Sequence, residues 1–130
     1  MSQPTKHLYE FGTFRLDAGE RLLLRNGEIV SLTPKVFDLL LALVEHQGHL
    51  LGKEELLKFV WPDTFVEEAN ISWNVSYLRK ALDDNGDGQR FIETVPKRGY
   101  RFIGQIERRI SSIAVRIGIS SEVGRLSNVT

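Results

Sequence analysis

The chain has 130 residues, with 17 basic and 17 acidic side chains and no cysteine. That length supports one hydrophobic core, and the lack of thiols excludes a disulfide framework and thiolate metal sites. No apolar run approaches the roughly 18 residues of a membrane span, and MSQPTKHLYE has no signal-peptide core, so no membrane segment is expected and the expected compartment is the cytoplasm.

The first third reads as β-structure. YEFGTFRLD, RLLLRNG and EIVSLT are short, partly alternating runs punctuated by Gly12, Asp17-Ala18-Gly19 and Asn26-Gly27. Asn-Gly between apolar runs is a strong hairpin signal, because both residues tolerate positive φ. An antiparallel sheet of three or four strands is therefore predicted. At Thr33-Pro34 the pattern changes: the hydroxyl can cap free N–H groups, and proline is tolerated at the first helical position. The run Pro34 to His46 carries apolar residues around more than half its circumference, among them Val36, Phe37, Leu40, Leu41 and Val44. It predicts the most buried helix, ended by Gly48. A second helix is expected over roughly Lys53 to Val60, closed by Trp61-Pro62, and a third from near Val66 to about Asp83. After the polar loop DDNGDGQ, RFIETVPKRGYRFIG gives two alternating runs around Pro96-Lys97-Arg98-Gly99, a hairpin with a basic tip. The tail from Gln105 fits a helix at Ile106, Ile110, Ile113 and Ile117, and a strand at Ile113, Val115, Ile117 and Ile119. The expected organisation is an N-terminal tail (1–7), one domain (8–104), and a linker or tail of undecided structure (105–130).

The third helix has two faces. At about 100° per residue, Ile71, Val75, Leu78 and Leu82 form a core stripe. Trp73, Tyr77 and Lys80 lie on the opposite arc, flanked by Asn70 and Ser76, with Asn74 to one side and Arg79 to the other. Amides, hydroxyls, aromatic surfaces and positive charge can read base edges, touch thymine methyls and bond phosphates from the major groove. The same face would also serve a protein partner, so a protein-interaction module is the alternative. Charge distribution adds to this. Between Gln89 and Arg109, the cations Arg90, Lys97, Arg98, Arg101, Arg108 and Arg109 face only Glu93 and Glu107. Segregated charge is usually a solvated face, but two adjacent cations on a sharp turn can also enter a minor groove.

Other chemistry is poorly supported. Asp83-Asp84-Asn85-Gly86-Asp87-Gly88 begins like a calcium loop, yet the twelfth position, where a bidentate glutamate belongs, is Thr94. His46 and His49 lack a third ligand and are separated by Gly48. There is no glycine-rich phosphate loop after a strand and no nucleophile elbow. The carboxylates sit in polar stretches that would not raise a pKa. No catalytic residue, metal or cofactor is expected.

The leading sheet, LTPKVFDLLLALVEHQGHLLGKEELLKFVWP, ISWNVSYLRKALDD and FIETVPKRGYRFIG together resemble the winged-helix DNA-binding domain of OmpR/PhoB-type bacterial transcription regulators. Within that family the likeness is to the CadC- and ToxR-like subgroup, which lacks the usual receiver, the part that ties other members to phosphorelay signal transduction. The resemblance implies an α+β fold: a winged helix-turn-helix with an N-terminal antiparallel sheet, three helices and a C-terminal β-hairpin wing. It implies sequence-specific binding of double-stranded promoter DNA and no enzymatic activity. Asn70, Trp73, Asn74, Tyr77 and Arg79 fall on positions that contact bases or phosphates, and Lys80 and Arg101 join the candidate set. Thr94 matches a backbone-contacting position, Lys97 and Arg98 occupy the wing tip at the minor groove, and Tyr100 matches an aromatic that packs or touches phosphate. The loop Trp61 to Glu68 matches a segment that meets RNA polymerase in some members, and members commonly bind as head-to-tail pairs. Ser76 and Tyr77 stand where several relatives carry arginine, and Pro96 where others have a basic residue. Those departures imply weaker phosphate binding and an operator of the chain's own.

Overall fold

A computed structural model describes residues 6–84 and 90–111. Four strands open the chain: β1 (Lys6–Phe11), β2 (Phe14–Asp17), β3 (Leu22–Arg25) and β4 (Glu28–Val30). Then come α1 (Pro34–Glu45), β5 (Leu50–Gly52), α2 (Lys53–Val60), α3 (Ala69–Ala81), β6 (Ile92–Val95), β7 (Gly99–Phe102) and β8 (Glu107–Ser111). The strands form two antiparallel sheets, one of order β4-β3-β2-β1-β8 and one of order β5-β7-β6. This is the α+β winged-helix arrangement expected from the sequence.

Local chemistry explains the boundaries. Asn26 and Gly27 both take positive φ (52° and 85°) between the paired residues Arg25 and Glu28, as a tight hairpin turn requires. Thr33 caps α1, its hydroxyl accepting the Val36 N–H at 3.2 Å, and Pro34 fills the first turn. Val36, Phe37, Leu39, Leu40, Ala42, Leu43 and Val44 are all buried, which makes α1 the central helix of the core. Gly48, at φ +86°, turns the chain after α1 and donates its N–H to the Phe102 carbonyl at 2.9 Å, tying that corner to the wing.

The third helix is shorter than its apolar pattern suggests. It begins at Ala69, three residues after Val66, because the chain enters through a tighter turn. There the N–H groups of Asn70 and Ile71 donate to the Glu67 and Glu68 carbonyls three residues back. Its C-terminal end is a Schellman turn. Asp83, at φ +59°, stands where glycine is usual, its N–H bonded to Lys80 O and that of Asp84 to Arg79 O.

Two strands escape the sequence pattern. β5 has only three residues, too few to show alternation, and is defined by its pairing with β7. β8 pairs with β1 over Lys6–Ser111 to Glu10–Glu107, so the first sheet reaches past both ends of the 8–104 segment. Residues 107–111, undecided in sequence, are strand.

The two sheets meet through phenylalanine rings. Phe11 from β1 stands edge-on to Phe91 and Phe102, at centroid separations of 5.3 and 5.2 Å, and Phe14 from β2 packs edge-on to Phe91 at 5.8 Å. Such contacts add to the burial of the rings themselves, and they fix the wing strands against the N-terminal sheet. Tyr9 lies beside this core and donates to the Glu45 carboxylate at 3.4 Å. Burial first, and the Glu45 charge second, raise its phenol above the usual tyrosine value, which keeps the donor proton in place.

Candidate nucleic-acid interface

The opposed faces of α3 are realised as the helical period requires. Ile71, Val75, Leu78 and Leu82 are at most 1% exposed, while Trp73 is 77% and Tyr77 43% exposed. Four apolar anchors therefore leave the two aromatic residues directed at solvent. Trp73 and Tyr77, one helical turn apart, border an open cleft of about 320 Å³ lined also by Ser72, Ser76 and Lys80. Lys80 is exposed and makes no ion pair among the described residues. Asn70 and Asn74 sit towards the N-terminal end of this face. Each turns its amide to the backbone, Asn74 Nδ2 donating to Asn70 O at 2.7 Å and Asn70 Nδ2 to Glu67 O at 3.4 Å. Their carbonyl oxygens remain available as acceptors.

The wing is the β6–β7 hairpin. Thr94 pairs with Tyr100 and Val95 with Gly99 across it. Its tip is a four-residue turn closed by Arg98 N–H to Val95 O at 2.9 Å, with Pro96 second and Lys97 third at φ +67°. That is the pattern of a type II turn, whose third position usually carries glycine. A lysine there costs roughly 1–2 kcal/mol of backbone strain, and it places a cation at the outermost point. Lys97 and Arg98 are both exposed, and neither has an ion-pair partner among the described residues.

Three other cations of this segment are engaged. Arg90 lies 3.8 Å from Asp84, Arg101 lies 3.5 Å from Glu93, and Arg108 sits over the Tyr9 ring at 5.2 Å. Among the cations whose side chains are described, the net positive stretch seen in sequence thus contracts to the two tip residues. Arg101, a candidate DNA contact, lies across the hairpin from Glu93 and has a buried Nε without a hydrogen-bond partner. Tyr100 is 6% exposed and packs against the core, with its hydroxyl 3.4 Å from Ser72 Oγ on α3.

Helix and wing are joined by two side chains whose roles the sequence did not reveal. Arg79 reaches from α3 to β6, donating to Ile92 O at 2.9 Å and Thr94 Oγ1 at 2.7 Å. Arg79 Nη2 thereby acts as a strut between α3 and β6, while the Thr94 hydroxyl keeps its own proton to donate. Asp84, its side chain 2% exposed, accepts from Phe91 N–H at 3.0 Å and Ile92 N–H at 2.9 Å through one oxygen. In sequence Asp84 belonged to a calcium-like loop. Asn85 to Gln89 lie outside the described residues, and the Asp84 carboxylate is committed to the wing backbone. Its sequence signal was only an aspartate just after a helix end, which is too common to identify.

Comparison with known proteins agrees with this geometry. The family model described as "Transcriptional regulatory protein, C terminal" matches residues 27–102. The Transcriptional activator CadC of Escherichia coli is 40% identical over 80 residues, 61% of this chain and 16% of that protein. A cholera toxin homolog transcriptional activator of Vibrio parahaemolyticus is 37% identical over 84 residues, 63% of this chain and 29% of that protein. The chain therefore matches less than a third of the length of these two relatives. Among solved structures, the DNA-binding domain of E. coli CadC superposes with a TM-score of 0.70 at 30% identity, over 80% of this chain and 98% of that one. The RstA DNA-binding domain of Klebsiella pneumoniae, solved in complex with the RstA box, gives 0.65 at 32% identity, over 74% and 96%. These relatives are regulators of transcription, in agreement with the expectation that the chain is not an enzyme.

Proposed function

This chain belongs to the family of transcriptional regulatory protein C-terminal domains, and on that premise we propose that it binds double-stranded promoter DNA sequence-specifically in the bacterial cytoplasm. In this reading α3 enters the major groove and the Lys97-Arg98 tip reaches the adjacent minor groove. The observation that carries it is the solvent-directed aromatic and polar face of α3 together with the wing tip's two exposed cations, which have no ion-pair partner among the described residues. Trp73, Asn70, Asn74 and Tyr77 face bases, Lys80 and the Thr94 hydroxyl face phosphates, and Arg79, Tyr100 and Arg101 support the wing. The loop Trp61 to Glu68, whose Phe65 is exposed, is assigned to RNA polymerase, and two copies are assigned head-to-tail sites on direct repeats.

Electrophoretic mobility shift with the promoter of the chain's own gene, alongside random duplex, tests the proposal. Binding should fall steeply with salt. Replacing both Lys97 and Arg98 with alanine should weaken every duplex alike and flatten the logarithmic salt slope by about 2 units. An unchanged slope removes the wing from the interface. No retardation of any duplex at low salt favours a protein partner on the aromatic face instead.

A further inference from the structure

The outward face of α3 has one chemical gap. Guanine is most often read by arginine or lysine bonded to O6 and N7, yet both hydrogen bonds drawn from Arg79 Nη2 go to the wing. Lys80 is the other cation of the helix, and it lies at the rim of the cleft, one turn beyond Ser76. What the helix offers at its centre is apolar: the indole of Trp73 and the phenol ring of Tyr77, flanked by the Ser72 and Ser76 hydroxyls. Only one apolar group projects into the major groove of DNA, the C5 methyl of thymine.

We propose that the Trp73–Tyr77 cleft receives thymine methyl groups, so that these two aromatic residues determine specificity and the operator carries T·A pairs opposite the middle of α3. This rests on the DNA-binding reading above and deepens it. The methyl enters between the rings, where its burial removes apolar surface from water on both partners. The serine hydroxyls, which donate and accept, stand beside it to meet the thymine O4 or the adenine N6 and N7 of the same pair.

The test uses the full chain and a duplex selected by it from a random library. Each thymine of that duplex is replaced in turn by deoxyuridine, which deletes the methyl and keeps the pairing edge. One or two positions should lose about fourfold in affinity, the worth of one buried methyl expressed as a ratio. That loss should vanish in Trp73→Ala, whose exposed side chain is not needed for folding, and persist in Lys97→Ala, which weakens all duplexes alike. Equal binding of every deoxyuridine duplex overturns the inference while leaving DNA binding intact. So does a penalty that survives in both Trp73→Ala and Tyr77→Ala. Failure to select any duplex at low salt overturns the underlying DNA-binding reading as well.

Discussion

Replacing Gly99 with alanine is expected to lower the thermal midpoint by roughly 12–24 °C, from about 3 kcal/mol of lost stability in a domain of this size. Gly99 opens β7 and pairs with Gly52 on β5, where two backbones approach closely. A Cβ at Gly99 would lie 2.0 Å from Leu51 O, 2.8 Å from Leu51 C and 2.9 Å from Gly52 Cα. All three are backbone atoms, so no change of rotamer relieves the clash. The strand must move, and with it the wing tip and the contact of Tyr100 with α3. Gly27→Ala separates space from backbone conformation. Gly27 has φ +85° but nothing within 4 Å of the added carbon, so that change should cost only about 1 kcal/mol, the left-handed penalty alone. Thermal unfolding followed by circular dichroism measures both. A midpoint loss at Gly99 no larger than at Gly27 would mean that β5 yields easily and does not fix the wing.

The second large effect is expected at Asp84. Asp84→Ala leaves the N–H groups of Phe91 and Ile92 without their acceptor, and both residues are buried. The expected cost is about 3 kcal/mol, since each orphaned donor loses its full compensation for desolvation. Asp84→Asn keeps one carbonyl oxygen able to accept and should cost about 1 kcal/mol, so denaturant melts should rank alanine well below asparagine. A double-mutant cycle on DNA affinity, combining Asp84→Asn with Lys97/Arg98→Ala, separates wing placement from general loosening. Coupling is expected because Asp84 holds the strand that carries those cations. Strict additivity would show that the carboxylate contributes to folding alone.

Much of this architecture was legible from residue order because its causes are local. Thr33-Pro34 starts α1, Asn26-Gly27 makes a hairpin, and the spacing of Ile71, Val75, Leu78 and Leu82 fixes which side of α3 is buried. The illegible parts depend on partners distant in sequence. β5 is a strand only because Gly99 lets β7 lie against it, 47 residues after Gly52. β8 is a strand because β1, at the other end of the chain, offers it an edge. The same holds at the candidate site. Trp73 and Tyr77 face outward for reasons visible in one helix. Arg79 looked equally free there, but it is drawn away by a carbonyl and a hydroxyl on β6. The cations between residues 90 and 109 likewise read as one basic surface until Asp84, Glu93 and the Tyr9 ring are seen to engage three of them.

The Arg79 strut and the Asp84 carboxylate also set the entropic terms on which any ligand is met. With helix and wing already held in register, a duplex that engages both does not have to order one against the other. Among the described residues of helix and wing, the conformational freedom left to lose lies in exposed side chains such as Trp73, Lys80, Lys97 and Arg98. Docking is then close to rigid-body, and its heat-capacity change reflects the surface buried between the partners rather than folding coupled to association.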